Sequence, residues 1–96
     1  MSFALTVPNR SQSVLFAALK DKLEYYQSAG KFQIKEVKSD EAAGRCVAKG
    51  TGFEAVVECR DNLVTVDLTL GLLLRPLRAS IESEIRAQFE KTLGKL

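Results

Sequence analysis

The side chains that could do chemistry are two thiols, a few carboxylates and two adjacent phenols: Cys46 and Cys59, Glu54, Glu58 and Asp67, and Tyr25 and Tyr26. There is no histidine, so the commonest general base and metal ligand is missing. A reactive thiol also needs a basic neighbour or a helix N-terminus. In a hairpin turning at Gly50–Gly52, Cys46 falls opposite Val56 or Val57 and Cys59 nearer Gly44, out of register for a direct bridge unless a bulge intervenes. Cys59, in phase with Val57, reads as a small buried hydrophobe. Glu54 and Glu58 alternate with apolar residues beside Thr65 and Asp67, as on a solvated sheet face, with Arg45 and Lys35 as possible cross-strand partners. Acid–base work there would need a pocket that raises one pKa. Tyr26 falls in an apolar stripe with Tyr25 beside it, so both read as packing residues, a ligand-facing hydroxyl being the alternative. Gly50-Thr51-Gly52 matches no phosphate loop, and no CxxC, HExxH or GxSxG spacing occurs. No catalytic residue, cofactor or metal site is expected.

One segment stands apart. Between a strand pattern and a helix pattern lies GLLLRPLR, with Leu72, Leu73 and Leu74 followed by Arg75, Pro76, Leu77 and Arg78. Corners are normally polar because they lie in water. Two arrangements fit. Leu70, Leu73 and Leu77 could close the core, leaving Leu72 and Leu74 partly exposed. Alternatively Leu72 and Leu74, rimmed by Arg75 and Arg78, form a docking patch for a protein, a second copy, or an apolar surface carrying anionic groups.

The elements that must position this corner follow from periodicity. Residues 3–7 alternate, giving a short strand closed by Pro8. Asn9 can cap a helix from about Arg10 to Ser28, with Gln12 as box partner and an apolar stripe of Val14, Leu15, Ala18, Leu19, Leu23 and Tyr26. Gly30 stops it. Strands follow at 31–38 (Phe32 and Ile34 inward, Lys31, Gln33 and Lys35 outward), 45–49, 53–59 and 63–70. Asp61-Asn62 suits a two-residue turn needing positive φ. The last helix starts near Leu74. Leu77, Ile81, Ile85, Phe89 and Leu93 form its buried ladder, so Ile85→Asp is expected to unfold the domain or force a large rearrangement. Arg78–Glu82, Glu82–Arg86 and Arg86–Glu90 pair on the wet side. The order β-α-β-β-β-β-α predicts an α+β domain over residues 1–96: a curved, mainly antiparallel five-stranded sheet with two helices on one face, a reduced helix-grip-like arrangement. The first strand is placed beside the last.

At 96 residues one core suffices. A net charge of +2 with no basic run, and strands without an arginine-interleaved aromatic platform, give no reason to expect a nucleic-acid partner. No apolar run approaches the roughly 20 residues of a membrane span. The N-terminus lacks a signal-peptide pattern, so a cytoplasmic location with reduced cysteines is expected.

The stretch VDLTLGLLLRPLRASIESEI resembles the polyhydroxyalkanoic acid system proteins, a family of small bacterial proteins. Its members carry a G-[LF]-L-L-x-P-[LM]-[KR] corner and then an I-E-x-E-I helix. The corresponding residues are Gly71, Leu72, Leu73, Leu74, Arg75, Pro76, Leu77 and Arg78, then Ile81, Glu82, Glu84 and Ile85. The resemblance implies a bacterial protein associated with storage-polyester granules and brings no catalytic residues. Two functions are therefore open. One is a non-enzymatic accessory protein whose apolar corner meets a granule surface or a protein partner. The other is a binder of an acyl or hydroxyacyl ligand in a cavity between sheet and C-terminal helix, lined by Tyr26, Phe32, Phe53, Val66, Leu68, Ile81 and Ile85. Exposed sheet edges also allow a homodimer.

Overall fold

Alternating apolar residues build one sheet with one wet face. A computed structural model describes residues 2–30 and 33–95; Lys31, expected outward, and Phe32, expected inward, lie outside the described residues. The strands are β1 (Ser2–Thr6), β2 (Ile34–Asp40), β3 (Arg45–Gly50), β4 (Phe53–Arg60) and β5 (Leu63–Leu70). The helices are α1 (Gln12–Ala29) and α2 (Arg78–Leu93), the latter preceded by a 3₁₀ turn at Arg75–Leu77. Every strand pairing is antiparallel, in the order β1-β5-β4-β3-β2. The first strand thus lies beside the last, as expected. Inward residues Phe3, Leu5, Val64, Val66, Leu68, Ala55, Val57, Cys59, Cys46 and Ala48 form the core with the buried side of α1.

The start of α1 departs from the expected cap. Asn9 adopts a left-handed conformation with φ of 60°, and Ser11 takes the cap position, its Oγ accepting from the Val14 N–H at 3.4 Å. The β4–β5 turn holds this end in place. Asp61 Oδ1 accepts from the Gln12 N–H at 2.8 Å, and Asn62 Oδ1 from the Arg10 N–H at 2.9 Å. Asn62 sits at φ of 64°, the positive φ expected of that turn. The buried stripe begins with Leu15 and Phe16 rather than Val14, which is 44% exposed. At the other end Gly30 adopts φ of 71° and its N–H returns to the Gln27 carbonyl, closing the helix as expected.

The ladder on α2 is buried only at one end. Phe89 and Leu93 are in the core, Ile85 and Ile81 are half-buried, and Leu77 is 53% exposed. Periodicity tells which residues share a face; it does not tell whether another element reaches that face. Of the expected helix ion pairs, Arg86–Glu90 is formed at 3.2 Å. On the wet face of the sheet Arg45 pairs with Glu58 at 3.1 Å, directly across the β3–β4 register.

Candidate functional site

The two thiols are placed for packing. Cys46 lies across from Val57, Cys59 across from Val64, and the Cys59 N–H donates to the Gly44 carbonyl at 2.7 Å. Both are free and buried. Burial pushes the Cys46 thiol up to about 11 and the Cys59 thiol up to about 12, the reverse of what a nucleophile needs. Among the described residues, no three of the His, Cys, Asp and Glu side chains gather as a metal site. No helix among them is long and apolar enough to cross a membrane.

The corner is built from backbone contacts between two turns. The Gly71 N–H donates to the Gly52 carbonyl at 2.7 Å, so the β5 exit is tied to the β3–β4 hairpin. Gly52 has φ of 79°, and a Cβ there would lie 3.3 Å from Leu74 Cδ1. Leu74 therefore closes over that hairpin and is half-buried. Successive tight turns follow: the Leu74 and Arg75 N–H groups donate to the Gly71 carbonyl, and the Leu77 N–H to the Leu74 carbonyl. This winding throws Leu72 and Leu73 outward, 77% and 92% exposed, and Leu77 is 53% exposed. The exposed pair is thus Leu72 and Leu73, where Leu72 and Leu74 were expected. The alternative in which Leu73 and Leu77 close the core does not hold. Arg75 and Arg78, from the same segment, line a shallow depression of about 320 Å³ with Leu68, Thr69 and Leu70.

Behind the corner, the raised first half of α2 leaves an open cleft of about 480 Å³. Its walls are Gly30, Gln33, Thr51, Phe53, Leu74, Leu77, Ile81 and Ile85. Phe53, Ile81 and Ile85 are brought together as expected of a cavity lining. Val66 and Leu68 are not on it: they are sealed in the core at 0% and 2% exposure, on a strand flanked by β1 and β4. Tyr26 is also buried among core residues, its hydroxyl donating to Gln88 Oε1 at 3.3 Å. Burial, then the nearby Glu84 carboxylate, raises its pKa. Phe32 lies outside the described residues. Leu74 and Leu77 are cleft residues that sequence reasoning assigned elsewhere. Leu74 lies three residues before Leu77 and Leu77 four before Ile81, a helical spacing that was a usable signal.

No curated protein matches the chain. Two solved structures share its fold. A TBP-like protein from Parabacteroides distasonis superposes with a TM-score of 0.61 at 16% identity, over 71% of this chain and 51% of that one. A DUF4468 family protein from Bacteroides ovatus gives a TM-score of 0.57 at 17% identity, over 71% and 50%. The matched part of the chain thus spans about half the length of each. At these identities the likeness is one of fold. A family model described as "Putative polyhydroxyalkanoic acid system protein" matches residues 15–93.

Proposed function

The chain belongs to the polyhydroxyalkanoic acid system protein family, and from that premise we propose a non-enzymatic accessory protein that docks on the polyester surface through its corner. The observation that carries this reading is the exposure of Leu72, Leu73 and Leu77 within one short segment. These are three of the five large hydrophobics that are exposed among the described residues, set beside Arg75 and Arg78. A polyhydroxyalkanoate surface offers hydrocarbon side chains, ester carbonyls and terminal carboxylates. Leucines suit the first, and guanidinium donors suit the other two. Each leucine fully removed from water contributes roughly 1.5–3 kcal/mol before the cost of association is subtracted. Two or three such contacts give reversible binding.

The test is co-sedimentation of the purified chain with polyester granules. Leu72→Ser/Leu73→Ser is expected to lower the bound fraction at least about tenfold, equivalent to roughly 1.4 kcal/mol. Its circular dichroism should not change, since neither side chain packs on the core. Unchanged partition of a folded double variant overturns the reading.

The cleft favours a second reading, a single acyl or hydroxyacyl ligand seated between Phe53, Ile81 and Ile85. Its volume falls in the usual range of ligand pockets, roughly 300–1,000 Å³. Ile81→Trp fills the cleft and leaves Leu72 and Leu73 exposed. Ligand binding should be lost in Ile81→Trp and kept in the corner variant, whereas surface docking responds in the opposite sense.

A further inference from the structure

The sheet has two open edges, and they are built differently. On β2 the register shifts between Ile34 and Glu36, so Lys35 bulges. The strand also carries Glu36, Lys38 and Asp40, with Lys38 Nζ 3.1 Å from Glu36 Oε1. Bulges and charges are the usual devices that keep an edge from accepting another strand. Strand β1 has neither. Its sequence, SFALT, contains no charge and no proline, and its register against β5 runs unbroken from Ser2↔Asp67 to Thr6↔Leu63.

We propose that β1 is a homodimer edge, pairing antiparallel with β1 of a second copy to make one ten-stranded sheet. The strand is self-complementary about Ala4. A two-fold axis there sets Ser2 opposite Thr6, Phe3 opposite Leu5 and Ala4 opposite Ala4. The solvent-face pairs are small and uncharged, and the core-face pairs are apolar. An open groove of about 590 Å³ runs along β1 as far as the C-terminal end of α2, with Leu5, Val7, Arg86, Glu90 and Leu93 among its walls. Arg86 and Glu90 neutralise each other at 3.2 Å, so a second copy meets no net charge from this pair. The axis is normal to the sheet, which keeps both copies' helices on the same side. The proposal is independent of what the corner binds.

Light scattering of the full chain from low micromolar to submillimolar concentration is expected to show the mass rising towards twice the monomer value. Ala4→Lys, on the exposed side of the strand, sets two cations across the axis and is expected to hold the chain at monomer mass with unchanged circular dichroism. Lys38→Ala on the β2 edge should leave the dimer intact. Ala4→Cys provides a second measure. Opposed Cα atoms in an antiparallel pair lie about 4.5–5.5 Å apart, within disulfide reach. Mild oxidation should therefore cross-link this variant into a dimer, while the buried Cys46 and Cys59 stay unreactive. A monomer at every concentration, together with no cross-link, overturns the proposal. So does a dimer that survives Ala4→Lys and fails to cross-link through Ala4→Cys.

Discussion

Val66→Asp abolishes folding at neutral pH. Val66 is fully buried on the central part of the sheet, with Phe3 on one neighbouring strand and Val57 on the other. No cationic side chain is among the core residues around it, so a carboxylate there is desolvated without a partner. That cost is several kcal/mol, against a total stability of roughly 5–15 kcal/mol for a domain of this kind. Urea titration followed by circular dichroism should show no cooperative transition, whereas Val66→Ala should keep one at a lower midpoint. Ile85→Asp serves as the contrast. Ladder periodicity placed Ile85 with the core, and it packs against the core cluster, but it is half-buried and borders the open cleft, where a carboxylate keeps water. That variant is expected to fold with a moderate loss of stability.

Stability also falls steeply in alkali. The folded thiols hold their protons up to about 11 and about 12, against an ordinary value of 9.0. Between those values the unfolded chain has released protons that the folded chain still holds. Stability is complete below the unfolded value and is lost as the pH rises towards the folded ones. At about 1.4 kcal/mol for each pH unit and each thiol, the loss amounts to several kcal/mol at the top of the window. Tyr26, also raised by burial, acts with the same sign. The urea midpoint should be level up to about pH 8 and fall sharply by about pH 10.5. Cys46→Ala/Cys59→Ala should start lower, with two small cavities, and fall less steeply. An identical slope in that variant would assign the alkaline loss to other groups.

The hairpins were legible because period two over β4 and β5 leaves one face apolar, and Gly52 and Asn62 supply the turns between strands. That β1 belongs beside β5 followed from the order of elements. What could not be read came from contacts made at a distance. Asn9 has the residue type of a helix cap, yet the side chains that hold the start of α1 include Asp61 and Asn62, about fifty residues away. Leu74 looked as exposed as Leu72, because nothing in GLLLRPLR says that Gly52 waits beneath it. The α2 ladder was right about which residues share a face. Whether that face is covered depends on how far α1 and the sheet extend, which is a property of the assembled layers.

The partial burial of that ladder has a mechanical consequence. Phe89 and Leu93 fix α2 at one end, while its own hydrogen bonds keep it stiff along its length. The helix is then a lever held most deeply at Phe89 and Leu93, with Ile85 half-buried against the core and its far end joined to the corner. The eleven residue steps from Arg78 to Phe89 span about 16 Å, at roughly 1.5 Å per residue. A tilt of about 5° about Phe89 moves the corner end by about 1.5 Å over that length. Leu77 is both exposed and on the cleft wall, so such a tilt changes its distance from Leu72 and Leu73 and the width of the cleft together. Whatever seats itself at the tip therefore works with a lever arm against the packing around Phe89.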